Sequence, residues 1–410
     1  MVLSWGQRSN LEWMRQERAW VEVNVAAIAH NVRQIQTLLA EPSRSELTQS
    51  KSPQLMAIVK ADAYGHGAVT VAQTVLEAGA DWLGVATLLE GIELREAGIT
   101  APILLLGAVN TAKEVQAIAQ WQLQPTLCTP KQALTFAEAL ASPLNRPLPV
   151  HLKLDTGMSR LGTSWQEAAE FVQLVQRLPS LTIASVYSHL ATAESLDRTA
   201  AQQQQQRFEA AIAQIKAIGI VPPQLHLANS AATLMNSGWH YDLVRVGLAI
   251  YGLYPAEHLR EVVELQPALQ VRARVTQVKT IQPGTGVSYG HQFVADRPLR
   301  LAVVGIGYAD GVPRNLSNRI SVLVRGERVP QLGAITMDQL MLDVSAVPDV
   351  QEGEVVTLLG RDGQSTIAVD EWADLLGTIS WEILCGFKHR LPRVATHQSL
   401  PKMLHHNLGG

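Results

Sequence analysis

Cysteine is almost missing from this chain. Two occur in 410 residues, Cys128 and Cys385. Neither belongs to a CxxC pair or a Cys/His cluster, which argues against a disulfide framework or a structural zinc site and leaves two buried thiols as the expectation. Long apolar runs are missing too: no stretch of about 18 apolar residues occurs, so no membrane-spanning helix is expected. The N-terminal stretch MVLSWGQRSNLEWMRQERAW carries charges throughout and has no apolar h-region; it does not read as a signal peptide, and a cytoplasmic location is expected. A basic excess is also absent. Lys and Arg number 33 against 36 Asp and Glu, for a formal net charge of -3, and with no basic stripe a nucleic-acid partner is not expected. The one biased tract is the glutamine run Gln202–Gln206, expected on the solvated face of a helix.

What is there is apolar and periodic. Hydrophobic residues make up 47% of the chain and charged ones 17%, the balance of a globular protein with a large core. The length suits one large domain and a smaller one. From about residue 55 to 252 eight short apolar runs follow one another: LMAIVK (55–60), WLGVAT (82–87), PILLLG (102–107), LQPTLC (123–128), PVHLKLDTG (149–157), IASVYSHL (183–190), QLHLANS (224–230) and LVRVGLAIYG (243–252). Between them lie stretches with apolar residues every three or four positions, such as SWQEAAEFVQLVQRL. Eight strand-helix units predict an α/β fold, a (β/α)8 TIM-type barrel. After residue 265 the runs alternate apolar and polar residues between Gly and Pro turns, with no helix before about Asp370, which predicts a second, mostly antiparallel β domain. The expected division is a segment 1–24 pairing with the β domain through VEVN, a barrel 25–265, a β domain 266–396 and a tail 397–410.

In such a barrel, polar residues at the carboxyl ends of the strands face the active site. The first run ends in Lys60, within AIVKADAYGHG. A lysine there is either a partly desolvated amine suited to Schiff-base chemistry or a side chain snorkelling to water. The fifth run ends in KLDTGMSRLG, where Lys153 and Arg160 flank a glycine turn; Arg160 is a carboxylate clamp or a loop arginine. The sixth ends in Tyr187, Ser188 and His189, and a lone histidine there is more often structural than a ligand, with no metal-ligand spacing nearby. The seventh ends in HLANSAAT, placing Asn229 and Ser230 at a strand-to-helix junction that either caps the helix or holds a phosphate. Arg245 and Gly247 lie on the eighth. In the β region Tyr289 (GVSYGHQF) and Tyr308 (GIGYADG) sit between glycine turns.

Taken in order, AIVKADAYGHG, KLDTGMSRLG, HLANSAAT, VRVGLAIYG, VSYGHQF, GIGYADG, TMDQ and a terminal RLPR resemble the alanine racemase family, and the resemblance runs from about Trp20 to Arg393. It implies pyridoxal 5'-phosphate held on Lys60, with Lys60 as base toward one alanine enantiomer and Tyr289 of a second subunit as base toward the other, hence a homodimer with shared sites. It further implies phosphate contacts from Tyr64, Ser230, Gly247 and Leu248, with Asn229 at the same junction. His189 would lie beside the ring, and Arg245 at the pyridine nitrogen backed by His226. Arg160 would serve Tyr289 and the substrate carboxylate, oriented by a carbamylated Lys153. Met337 and Asp338 would border the substrate. D-alanine for peptidoglycan would be the product supplied. The chain departs from the family pattern at His389, where a phosphate-contacting tyrosine is common, at Thr336 and Ala334 near the entrance, and at Ser159, a frequent glycine. The rival readings are a racemase of another small or basic amino acid, a related decarboxylase, which would carry an acid where Arg245 stands, and a pyridoxal-phosphate carrier, which would lack the β domain.

Overall fold

The computed structural model describes residues 17–40, 52–140 and 146–397; residues 1–16 of the expected N-terminal segment and 398–410 of the expected tail lie outside it. Two compact units emerge, one over Val25–Ala268 and one that joins Leu269–Thr396 to the strand β1 (Ala19–Asn24).

The first unit begins with helix α1 (Val25–Leu39) and continues through eight parallel strands: β2 (Gln54–Ile58), β3 (Trp82–Val85), β4 (Ile103–Leu105), β5 (Gln124–Leu127), β6 (Leu148–Asp155), β7 (Leu181–Tyr187), β8 (Leu225–His226) and β9 (Leu243–Val246). They pair in sequence order, and β9 returns to β2. The ring is completed between β8 and β9 around Asp242. Its N–H donates to Leu225 O at 2.9 Å, its Oδ2 accepts the Leu225 N–H at 2.8 Å, and Arg245 N–H reaches Ala228 O at 3.0 Å. The last two strands are shorter than their apolar runs. Asn229 leaves the ladder to cap a helix, and Gly247 turns the chain into a 3-10 segment, Leu248–Tyr251.

Between the strands lie α2 (Ala68–Glu77), α3 (Leu88–Glu96), α4 (Ala112–Gln120), α5 (Pro130–Ala139), α6 (Ala168–Gln176), α7 (Thr199–Ala217) and α8 (Ser230–Met235). Three successive helices start on a threonine whose side chain accepts the backbone N–H three residues on: Thr87 from Glu90, Thr111 from Glu114 and Thr129 from Gln132. Each satisfies a donor the first helical turn cannot. The barrel interior is divided. Met56, Ile58, Leu104 and Leu243 form an apolar cluster, whereas β5 to β9 bury Thr126, His151, Lys153, Ser185, His226 and Arg245.

The second unit is built from β10 (Leu269–Ile281), β11 (Leu299–Val304), β12 (Ser321–Val324), β13 (Glu327–Leu332), β14 (Leu340–Asp343) and β15 (Val355–Asp362). Antiparallel pairing runs β10–β11–β14–β13–β12–β15 and back to β10, so this sheet also closes on itself. The first half of β10 shows the period of two that this requires: Leu269, Val271, Ala273 and Val275 are buried, and Gln270, Arg272 and Arg274 between them are half-exposed. β1 lies antiparallel to β10, with Val21 opposite Val271. Its other edge pairs in parallel with β17 (Arg393–Thr396), after the short strand β16 (Ser365–Ile367) and helices α9 (Val369–Leu376) and α10 (Ser380–Gly386). Arg18 ahead of β1 forks onto Asp310 at 2.9 and 2.6 Å.

Neither cysteine forms a disulfide; Cys128 is buried, but Cys385 is exposed on α10, against the expectation of two buried thiols. Among the described residues no helix is long and apolar enough to cross a membrane.

Asn31 of α1 is fully buried and ties three backbone groups together. Its Nδ2 donates to Ile250 O at 2.9 Å and Gln266 O at 2.8 Å, and its Oδ1 accepts the Gln266 N–H at 2.7 Å. Asn31→Ala leaves those groups without partners and should lower unfolding free energy by about 2–4 kcal/mol, read as a shifted urea midpoint; an unchanged midpoint would show that water replaces the amide.

Candidate active site

Lys60 follows β2 by two residues, at the carboxyl end of the barrel. The backbone then does something the sequence does not announce. Ala61, Asp62, Ala63 and Tyr64 all take left-handed helical angles, with φ between 52 and 55°. For L-residues this conformation costs about 1–2 kcal/mol each, so the turn must be held from outside. Glu90 of α3 supplies one hold: its Oε1 accepts the Ala61 N–H at 2.8 Å while Oε2 accepts those of Ala86 and Thr87 at 2.7 and 3.0 Å. Asp62 supplies another, its O accepting Gly67 N–H at 2.9 Å and its Oδ1 accepting Ala68 N–H at 2.8 Å. One left-handed turn thus separates Lys60 from Tyr64 and brings the Tyr64 hydroxyl against Gly247. A Cβ on Gly247 would lie 2.7 Å from that oxygen, so any side chain there would fill the cradle.

Ser230, at the start of α8, accepts the Gly247 N–H at 3.0 Å, which leaves its own hydrogen to donate elsewhere. Tyr64, Ser230 and Gly247 therefore converge. Leu248 is buried beside them in sequence. Asn229 is committed to capping: its Oδ1 accepts the Ala232 N–H at 3.0 Å, so it places Ser230 without offering that oxygen outward.

Arg245 is buried and, among the described residues, meets neutral acceptors only. Nη1 donates to His226 Nδ1 at 2.8 Å; Nη2 reaches Ser188 O at 2.8 Å, His189 Nδ1 at 3.1 Å and Leu227 O at 3.1 Å. Burial lowers its pKa to about 10. Lys153, also buried, is pushed down to about 8, first by burial and then by Arg245 and Arg160. It lies 5.5 Å from the centre of the Tyr187 ring. His189 falls well below its usual range, first by burial and then by the charges of Arg245, Lys153, Arg160 and Lys60. Four cations thus act on one histidine. Such a crowd suits an anionic ligand, and with the cradle at Gly247 the donor set fits a phosphate-bearing cofactor such as pyridoxal phosphate. Arg160 itself is exposed and lines a crevice with Lys153, Met158, Ser188 and His189. Ser159 beside it has φ 55°, the conformation a glycine adopts without strain. The Asp155 carboxylate holds this turn by accepting the N–H groups of Gly157, Met158 and Ser159 at 2.9, 3.0 and 3.1 Å.

Several participants escaped sequence reasoning. His151 and Ser185 bond to each other at 2.6 Å, and Ser185 to His226 at 2.8 Å. Each stands two residues before a residue singled out at its strand's end, Lys153 and Tyr187, and period-two alternation turns both inward. Gln204 is the exception to the solvated reading that Gln202, Gln203 and Gln206 keep: it is buried, its Nε2 donating to His189 O at 3.0 Å and its Oε1 accepting the Ala191 N–H at 2.8 Å.

The second unit carries the remaining residues. Tyr289 is 72% exposed and Met337 52%, and Asp338 takes a hydrogen bond from Arg390 Nη2 at 2.5 Å. The loop of Gly307 and Tyr308 is laced to Thr336 and Met337: Tyr308 N–H donates to Thr336 O at 3.0 Å and Ala309 N–H to Met337 O at 3.0 Å. An open groove beside Tyr289 is lined by Ser288, Thr336 and Met341.

Glu90→Ala removes the acceptor for three N–H groups and should release the left-handed turn. We expect a stability loss of about 1–3 kcal/mol and new proteolytic cleavage within residues 61–67; a fragmentation pattern like that of the parent protein would contradict this. The buried histidines predict an acid limb. His151 is neutral in the fold, its pKa lowered by burial from 6.5 to about 3. The stability it contributes is full above 6.5 and is lost as pH falls toward 3, on the order of 5 kcal/mol from this group alone. Urea midpoints measured at falling pH should drop across this window, and less steeply in His151→Asn.

The family model described as alanine racemase, N-terminal domain, matches residues 23–255, and that for the C-terminal domain matches residues 268–395. An alanine racemase of Nostoc sp. is 66% identical over 383 residues, covering 93% of this chain and 96% of that protein. One of Synechocystis sp. is 62% identical, with 93% and 100% covered. Among solved structures, the alanine racemase of Bacillus anthracis with bound L-Ala-P superposes with a TM-score of 0.85 at 35% identity, covering 93% of this chain and 95% of that one. With both of its units matched and nearly its whole length shared, the chain belongs to the alanine racemase family.

Proposed function

We propose that this chain interconverts L-alanine and D-alanine with pyridoxal 5'-phosphate as cofactor, acting as a cytoplasmic homodimer whose D-alanine serves peptidoglycan. The observation that carries the reading is the crowd of Lys60, Lys153, Arg160 and Arg245 acting on His189, next to the Tyr64, Ser230 and Gly247 cradle. Pyridoxal phosphate, when bound, delocalises the negative charge left on the substrate once its α-proton is removed. The protein's part is to place it and to manage protons. Lys60 would hold the cofactor covalently and would move a proton at its Nζ on one face of the α-carbon. The Tyr289 hydroxyl does so on the other face, and its wide exposure suits a residue offered to a second subunit. Two bases are needed because one side chain cannot reach both faces without turning the substrate over.

The hydroxyls of Tyr64 and Ser230 and the backbone at Leu248 would hold the phosphate over Gly247, whose missing side chain leaves the room, with Asn229 fixing Ser230. His189 would lie beside the ring and Arg245 at its nitrogen. An arginine there disfavours full protonation of that nitrogen, which limits side reactions such as transamination and speaks against the decarboxylase reading. Arg160 receives the substrate carboxylate and assists Tyr289. Lys153, with its pKa near 8, has an appreciable neutral fraction at neutral pH and is reactive toward carbon dioxide; its carbamate would supply the anion that orients Arg160. Met337 and Asp338 border the substrate.

The test is to load the purified protein with pyridoxal phosphate, add each L-amino acid and quantify the D-enantiomer. D-Alanine should dominate. Lys60→Ala should abolish turnover, and Tyr289→Phe should lower racemisation at least about 100-fold while leaving solvent exchange of the α-hydrogen for one enantiomer only. No D-alanine above the Lys60→Ala background would defeat the proposal.

A further inference from the structure

A chain of hydrogen bonds runs from Arg245 down through the polar half of the barrel. Arg245 Nη1 meets His226 Nδ1 at 2.8 Å; His226 Nε2 meets Ser185 Oγ at 2.8 Å; Ser185 Oγ meets His151 Nδ1 at 2.6 Å; His151 Nε2 meets Gln124 Oε1 at 2.9 Å. The direction of every link follows from the first. A guanidinium only donates, so His226 Nδ1 accepts and its proton sits on Nε2. That proton goes to Ser185, whose own hydrogen then has only His151 Nδ1 to meet. His151 must therefore carry its proton on Nε2 and give it to the Gln124 carbonyl. Any other tautomer of either histidine sets two hydrogens, or two lone pairs, against each other.

We infer that His151 is a positioning residue for Arg245, acting through Ser185 and His226 as the far anchor of this one-way chain. The inference rests on the proposed racemase reading, in which Arg245 faces the ring nitrogen. It adds a reason for neutral groups behind the arginine. A carboxylate at His226 would hold the guanidinium equally well but would cancel its charge. Two neutral imidazoles and a hydroxyl hold it by polarisation, each bond strengthening the next, and leave the positive charge to the cofactor. The rings are locked in place: His226 stacks on Tyr187 with centroids 4.5 Å apart and planes 5° apart, and the Trp82 ring meets His151 edge-on at 5.6 Å. Burial lowers the pKa of both histidines, which keeps them unprotonated.

The decisive measurement is nitrogen NMR of the histidine-labelled protein without cofactor, with the His226 signals assigned by their loss in His226→Gln. The intact protein should show His226 as a single Nε2–H tautomer that does not titrate between pH 5 and 8. His151→Phe and Ser185→Ala each cut the chain, and His226 should then show mixed tautomers or begin to titrate. In the loaded enzyme both variants should lower kcat about 10-fold with little change in KM for alanine, because the arginine acts on the ring. His151→Asn, which keeps an acceptor near the Nδ1 position, should recover most of kcat. If His151→Phe does not fold, Ser185→Ala carries the test alone. A single unchanged His226 tautomer in the cut variants, or a kcat equal to that of the parent, overturns the inference. Absence of alanine racemisation in the parent enzyme defeats the functional reading instead and leaves the tautomer result standing.

Discussion

A full positive charge lies buried in this barrel with no carboxylate among the described residues to meet it, and the rest of the site is arranged around that fact. Arg245 is held by two imidazole nitrogens and two backbone oxygens. An uncompensated buried charge is expensive, and hydrogen bonds from its own N–H groups offset only part of that. Its influence spreads outward. Burial first, and then this charge, lowers the pKa values of Lys153, His189 and His226, so the surrounding bases are pressed toward their neutral forms. A protein free to optimise stability alone would place leucine there. Retaining the arginine makes sense where an anionic partner completes the electrostatics, as the phosphate-bearing cofactor proposed for this chain would do.

The architecture was largely legible in the sequence because each barrel strand is a short apolar run and each following helix has its own period. The threonine caps at Thr87, Thr111 and Thr129 mark three helix starts with a residue type that has a mechanical reason to be there. The cations of the candidate site were legible as polar residues closing apolar runs. What could not be read was anything depending on where two distant elements meet. His151 looks like a mid-strand histidine, and only its approach to Ser185 gives it a role. Gln204 sits in a run of identical residues, and composition cannot say which of the five turns inward. Glu90 reads as an ordinary capping-box acid, yet its second oxygen reaches the turn after Lys60. Cys385 gives no sign of its exposure.

The second unit shows a different logic. Its closed sheet is held by regular alternation and by the Arg18–Asp310 pair, while Tyr289 and Met337 stand out from it exposed. Large apolar side chains left in water are informative when they stand beside polar loops. Here they coincide with the positions that family resemblance assigns to a neighbouring subunit's site. That convergence gives the homodimer proposal a footing in surface chemistry as well as in likeness.

The left-handed turn after Lys60 also governs which sequences this site can accept. Positions 61 to 64 hold two alanines, an aspartate and a tyrosine in a backbone that β-branched residues adopt only with great difficulty. Valine at Ala61 would be unwelcome even with open space around it, whereas a longer unbranched side chain would be less so. Handedness of the main chain is thus a filter on mutation here, independent of any contact the side chains make. Variation at these four positions is confined before cofactor or substrate enters the question.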